Sequence, residues 1–308
     1  MHIARFVLFA ILILLPLGVG EIYVRSLPNP TKSKHAHLMA KSREIEVLIL
    51  GNSHTYYGIN PAILSERAYS AAQVSQTLKY DNWILGAYPF DSLQTVVLPV
   101  SDFSLYEELE NGDEWYLANR YRLYMNCEIH PCLSVYGWEC TAFPVFCEKL
   151  KSLWTPSRMQ WSSYGQGLEY TFANRRPGGD WDNGEERAKR NYYKDLGNGE
   201  KGVAYLESIA RKCEKQKAVL VILQTPLRPS YLQHQNPEQV SDTQSRLRTF
   251  FKDFPQTRML DLRADLRFEA KDFYDSDHLN TDGADKLSFI LADSLEAWQS
   301  ESSVQPEN

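Results

Sequence analysis

The sequence predicts an α/β protein, a parallel sheet of about five strands between two layers of helices, with a Trp- and Cys-rich insertion in its middle. Three observations predict it. From Glu44, short apolar runs alternate with helical stretches as strand, helix, strand, helix, strand, a rhythm that calls for parallel pairing through right-handed crossovers. The rhythm resumes after residue 199 and feeds the strongest strand of the chain at 218–223. The last predicted element carries one apolar helical stripe, Ala284, Leu287, Leu291, Leu295 and Trp298.

Taken in order, the expected elements are a strand at 45–50, a short helix at 62–67, a strand at 68–73, a helix at 78–88 and a strand at 95–100. After the insertion come a helix at 203–215, the strand at 218–223, a strand at 258–261 and the final helix at 282–298, which Thr281 can cap. Residues 105–199 break the rhythm. They hold five of the seven tryptophans (Trp115, Trp138, Trp154, Trp161, Trp181) and glycine-rich turns such as Arg-Pro-Gly-Gly-Asp. Such aromatics either stack on sugar rings or fill the small core of the insert.

The chain of 308 residues is 43% hydrophobic and 23% charged, enough to bury one sizeable core. Its net charge of −6, with Lys and Arg scattered rather than striped, provides no electrostatic footprint for nucleic acid.

The first 24 residues differ from the rest. A single early cation, Arg5, precedes an apolar run from Phe6 to Gly20. That run lies between a secretory core of about 7 to 15 residues and a spanning helix of about 20. Gly18-Val19-Gly20 is a poor cleavage site and residues 17–24 can lengthen the span, so residues 1–24 read as an uncleaved signal anchor. Arg25, Lys32, Lys34, Lys41 and Arg43 outnumber the cations before the span, which runs against a simple positive-inside orientation. Residues 25–42, polar and with two prolines, read as a stalk, 43–300 as the folded domain and 301–308 as a disordered tail.

In an exported chain, Cys127, Cys132, Cys140 and Cys147 suggest two local disulfides with three possible connectivities; a zinc site completed by His130 is the alternative, weakened by the lack of any C-x-x-C pair. Cys213 lies in helical register with Leu206, Ile209 and Ala210 and reads as a buried core thiol.

One tetrapeptide is not explained by packing. Gly51-Asn52-Ser53-His54 follows the first strand, where a parallel sheet binds its ligands. Gly51 permits a tight turn, and Ser53 would stand at the start of a helix, where backbone N–H groups favour developing negative charge. A serine needs a base and a group to orient that base. Asp275 and His278, three residues apart in the loop before the final helix, supply both. Ser53 acting only as a helix cap is the plainer reading; the company of Asp275 and His278 favours catalysis. Asp277 is the rival to Asp275, expected to be solvated or to cap the loop, and His54 reads as a structural neighbour.

Gly-x-Ser after the first strand with Asp-x-x-His before the last helix resembles the SGNH/GDSL superfamily of hydrolases and acyltransferases. The likeness spans roughly 44–104 and 203–298. It implies a flavodoxin-like fold of the SGNH-hydrolase type, no cofactor or metal, Ser53 as nucleophile, His278 as general base and Asp275 as its orienting group. The anchor, the stalk, Gly-Asn-Ser-His-Thr and Asp-Ser-Asp-His-Leu-Asn are similar to those of membrane-anchored SGNH-like proteins of bacterial envelopes, including those of polysaccharide O-acetylation. That implies acyl-ester chemistry, O-acyl transfer or O-acetyl hydrolysis, on an envelope glycan in the periplasm from a single-pass protein of the inner membrane, with a membrane-bound acyl-donor protein as a partner. A noncatalytic glycan-binding or assembly protein on the same fold is the alternative. Family members offer a Gly after the second strand and an Asn after the third to complete the oxyanion hole with the serine N–H. Here those places read Gln73-Val74-Ser75-Gln76 and Pro99-Val100-Ser101-Asp102. The Ser53 and Ser75 N–H groups and the Gln76 amide are the expected donors, and Asp102 would repel an oxyanion if it pointed inward.

Overall fold

Five short strands, β1 (Val47–Ile49), β2 (Ala68–Ser70), β3 (Thr95–Pro99), β4 (Val219–Gln224) and β5 (Arg258–Asp261), form one sheet in the order β2-β1-β3-β4-β5, with every neighbouring pair parallel. This is the flavodoxin-like order, and its switch point lies between β1 and β3. The helices, in chain order, are α1 (His2–Ser26), α2 (Pro30–Lys41), α3 (Ser53–Gly58), α4 (Pro61–Leu64), α5 (Leu78–Ala87), α6 (Tyr116–Met125), α7 (Gly184–Arg190), α8 (Gly199–Gln216), α9 (Pro229–Leu232), α10 (Pro237–Asp253) and α11 (Thr281–Val304). The computed structural model describes residues 2–128, 138–139 and 160–304.

The chain divides into two compact units. Residues 37–108 and 159–308 make the unit that contains the sheet. Strand alternation sorts its core. Ile49, Val97, Val221 and Leu223 pack with Leu287 and Leu291 of α11 on one face, while Leu48, Val96, Leu98, Leu220 and Ile222 alternate to the other, where α8 covers β4 and α5 and α10 pack on α8. Both faces are buried, as parallel strands require. α3 and α4 pack beside α11.

Most elements fall within a few residues of their expected ends, and β5 matches them. α8 begins four residues early, through Gly202. A Cβ at that glycine would lie 2.1 Å from the Leu105 carbonyl oxygen, so its absence lets helix and chain touch. The cap of α11 is Asn280 rather than Thr281: Asn280 Oδ1 accepts from the Gly283 N–H at 3.0 Å, and Thr281 is already helical. Cys213 is a buried free thiol on α8, and burial pushes it up to about 12, which keeps it protonated and inert.

The second unit comprises residues 1–36 and 109–158. Within it α1 offers 24 residues, Ile3–Ser26, long and apolar enough to cross a membrane. Glu21, near the end of that helix, is 4% exposed; its carboxylate accepts from Arg25 Nε at 2.5 Å and from the Glu139 N–H at 2.9 Å. Residues 30–41, read from their composition as part of a stalk, are helical. Asn29 Oδ1 caps the helix through the Lys32 N–H at 2.8 Å, and Pro30 takes the first position, where its missing N–H costs nothing. At the other end of the chain, α11 continues to Val304, into the segment expected to be a tail. Cys127 is buried; Cys132, Cys140, Cys147, His130 and Trp154 lie outside the described residues, and the expected pairing with them.

Candidate active site

The turn after β1 is built to present Ser53. Gly51 has φ +104, and a Cβ there would lie 2.1 Å from Pro99 Cγ, so only glycine fits between the β1 end and β3. The Gly51 carbonyl accepts from the Gln73 N–H at 3.0 Å, which ties the turn after β1 to the turn after β2. Asn52 caps α3, its Oδ1 accepting from the His54 N–H at 3.1 Å, and Thr55 Oγ1 donates back to the Leu50 carbonyl at 2.7 Å. With Asn52 as the cap, Ser53 is the first helical residue and its side chain is left for another task. The plain capping reading of Ser53 therefore falls to its neighbour.

The structure brings the three expected residues together. Ser53 Oγ lies 2.8 Å from His278 Nε2, across 225 positions of sequence. His278 Nδ1 lies 2.9 Å from Asp275 Oδ1 and 3.1 Å from Oδ2. The Asp275 carboxylate also accepts the N–H groups of Asp277 at 3.1 Å and His278 at 2.8 Å, so the loop holds its carboxylate before the carboxylate holds the ring. With Nδ1–H donating to Asp275, Nε2 is the nitrogen free to take a proton from Ser53. His278 is 3% exposed. Burial pulls its pKa down, but Asp275 and Asp277 outweigh burial and hold it up at about 9.

Asp277 is not solvated as expected; it is 1% exposed. Arg187 of α7 donates to its Oδ1 through Nε at 2.7 Å and to its Oδ2 through Nη2 at 3.0 Å, and His54 Nε2 lies 3.3 Å from the same Oδ2. Burial alone would raise its pKa, yet His278, His54 and Arg187 together hold the carboxyl well below the usual carboxylate range. His54 is itself buried, and that burial lowers its pKa, so it is neutral at pH 7. Facing an ionised carboxylate, its Nε2 carries the proton, and Nδ1 then accepts from Ser101 Oγ at 3.3 Å. His54, Asp277 and His278 bring ligand-type atoms within 4.8 Å of one another. Both Asp277 oxygens already accept from a guanidinium, whose charge would oppose a metal cation there.

Beneath the Gly51-Asn52-Ser53 turn sits Asp81 of α5, 1% exposed, whose Oδ1 accepts from the Gly51 N–H at 2.7 Å and the Gln76 amide at 2.6 Å. The Gln76 side chain, expected as an oxyanion donor, thus gives one of its two amide N–H groups to bracing this turn. Ser75 has φ +55, so a serine adopts the left-handed backbone that glycine would take freely, at about 1 kcal/mol. Asp102 accepts from Gln235 at 2.5 Å and faces Arg263 at 3.5 Å; with His54 and Ser101 it lines a small cavity to which neither Ser53 nor Ser75 contributes.

Burial pushes Asp81 up to about 7 against the pull of its two bonds, from an ordinary value of 3.8. The folded chain then binds this proton more tightly than the unfolded one, so stability falls as pH rises from about 4 to about 7. Asp81→Asn keeps an acceptor and removes the charge. Its stability gain over the parent should be absent near pH 4 and grow to at most about 4 kcal/mol by pH 8, read from denaturant melts at both pH values.

One wall of the site is a ladder of tyrosines. Tyr170 stacks between Tyr57 at 3.7 Å and Tyr274 at 3.8 Å, with its edge toward His278. Trp181 packs partly buried against the core of the sheet, and Arg175 stacks on it at 3.7 Å. Arg187 and Asp81 were not legible as site residues. Arg187 stands among other charges on α7, with no motif around it. Asp81 did leave a signal, a carboxylate in the buried helical stripe of Tyr80, Ile84 and Leu85.

No protein-family profile matches the sequence, and no characterised relative matches it. Among solved structures the chain is similar to "a putative platelet activating factor" from Streptococcus pneumonia, at 9% identity over 91% of this chain and 98% of that one, with a TM-score of 0.44. It is also similar to "a putative acylhydrolase" from Bacteroides fragilis, at 8% identity over 85% of this chain and 94% of that one, with a TM-score of 0.42. What the site can do follows from its own geometry.

Proposed function

We propose that this chain is an SGNH-type serine enzyme of acyl-ester chemistry, an O-acyltransferase or O-acetylesterase acting on a cell-envelope glycan. The carrying observation is the line Ser53 Oγ, His278 Nε2, His278 Nδ1, Asp275, at 2.8 and 2.9 Å. In this reading Ser53 Oγ attacks the acyl carbonyl carbon as its proton passes to His278 Nε2. The bond to the leaving alcohol then breaks, and that alcohol takes the proton from His278. Water or a sugar hydroxyl next gives His278 a proton and attacks the acyl carbon; the bond to Ser53 Oγ breaks, Oγ takes the proton back from His278, and the free acid or the acylated sugar leaves. Asp275 orients the ring and stabilises the imidazolium throughout. The Ser53 N–H, in the first helical turn where donors have no intrahelical partner, and the Ser75 N–H are the candidate oxyanion donors.

The apolar α1 supports a single-pass anchor; in this reading the folded domain lies on the periplasmic side of a bacterial inner membrane, where a glycan and a membrane-bound acyl-donor protein would meet it. An envelope acceptor held at the site would compete with water through its effective concentration.

The noncatalytic glycan-binding alternative draws on the missing Asn after β3 and on the engagement of Gln76 by Asp81. A fluorophosphonate probe separates the two. The full chain in detergent should be labelled at Ser53 and hydrolyse 4-nitrophenyl acetate, and an acetyl donor with envelope oligosaccharide should yield acetylated sugar. Absence of labelling at pH 9, with the fold intact, would favour the binding protein. Acetate release without transfer to any acceptor would make it an esterase.

A further inference from the structure

His278 Nδ1 has two carboxylates within reach. Asp275 lies at 2.9 Å and Asp277 Oδ1 at 3.3 Å. An imidazole N–H points in one direction, so only one of them can hold the ring in a given orientation. Burial favours the wrong one. Asp277 is 1% exposed, and a carboxylate so stripped of water is drawn to any positive or partly positive N–H nearby.

Arg187 settles the competition. Its Nε and Nη2 form a bidentate pair with both oxygens of Asp277, at 2.7 and 3.0 Å, so the carboxylate is met by a planar fork from the insertion. Nη2 stands 3.3 Å from His278 Nδ1. With Nδ1–H donating to Asp275, both of these are donors, and that approach is a contact of like charges once His278 is protonated. The groups around His278 are Asp275 and Asp277 from its own loop, Ser53, His54 and Tyr57 from α3, and Tyr170 and Arg187 from the insertion. Among them Arg187 is the permanent cation.

We propose that Arg187 is a positioning residue that withdraws Asp277 from His278, leaving Asp275 to orient the ring, and that the insertion thereby sets the protonation of the general base. This deepens the reading of Ser53 and His278 as a catalytic pair. A brace that merely held α7 on the domain would leave the titration of His278 unmoved in Arg187→Lys, where the charge is kept and only the fork is lost.

The test follows the His278 imidazole by NMR in the full chain in detergent micelles, labelled with 15N-histidine and assigned through His278→Gln. In Arg187→Met the titration midpoint of His278 should rise by about one pH unit, since a cation is lost and Asp277 is released toward Nδ1. The pH at half-maximal kcat/KM should move with it. Adding Asp277→Asn to Arg187→Met should bring the midpoint back down. Arg187→Lys keeps the charge but loses the fork. Should Arg187→Met fail to fold, Arg187→Lys decides, with an expected rise of a few tenths of a pH unit and a fall in kcat of about tenfold at unchanged KM. A midpoint unchanged or lowered in the folded variant overturns the proposal. Because the NMR midpoint needs no turnover, a shifted midpoint in a chain that fluorophosphonate does not label would uphold this inference and reject the catalytic one.

Discussion

Ser53→Ala and His278→Ala should each lower kcat for an activated acetyl ester by about 10⁴-fold or more, and the double variant should be no worse than either single one. In the proposed mechanism the two act as one unit. Without Oγ there is no atom 2.8 Å from the imidazole to attack, and without the imidazole Oγ keeps its proton. Asp275→Asn should cost a comparable amount, about 10⁴-fold, because an amide at 2.9 Å from Nδ1 can favour the wrong tautomer of His278. Steady-state turnover of 4-nitrophenyl acetate, with thermal melts to verify folding, measures all four. A His278→Ala chain within tenfold of the parent would remove the histidine from the reaction.

The second large effect is on pH. In the proposed mechanism His278 takes a proton and must therefore be neutral, and Asp275 and Asp277 hold it up at about 9 in spite of its burial. Below that value kcat/KM should rise by about tenfold per pH unit, giving roughly a thousandfold between pH 6 and pH 9, and then level off. Stability should run the other way. The folded value near 9 exceeds the ordinary 6.5, so the protonated ring contributes about 3 kcal/mol that is fully present below pH 6.5 and is lost as pH rises through 9. A flat rate profile between pH 6 and 9 would mean that the two carboxylates do not control the base. In Asp277→Asn the profile should shift to lower pH, since one of the two charges that raise the midpoint is gone.

Much of this protein can be read without coordinates because the signals are local. Gly51 must be glycine wherever a strand ends against Pro99, and its place after an apolar run announced the turn. Asp275 and His278 are three residues apart, so one short loop suffices to orient the ring, and their pairing needed no knowledge of the sheet. The parallel topology followed from the alternation of apolar runs and helices, since parallel strands demand crossovers. Element ends were less legible. Gly202 looks like a helix breaker until Leu105 is seen against it, and Asn280 caps α11 one residue before the threonine that the sequence suggested.

Composition did not announce the helix at 30–41, because Pro30 marks a helix start as readily as a linker, and Asn29 before it decides which. By itself, then, the sequence determined the fold class, through the alternation of its elements, and the Gly51-Asn52-Ser53 turn and the Asp-x-x-His loop, each written within a few residues of chain. Only tertiary structure decided that Asp277 is buried against Arg187 and His54, where the Gln76 amide goes and that Arg187 belongs to the site. Those outcomes depend on burial and on charges brought together from α7, α5 and α3, and the energy of a buried charge is set by neighbours that are distant in sequence.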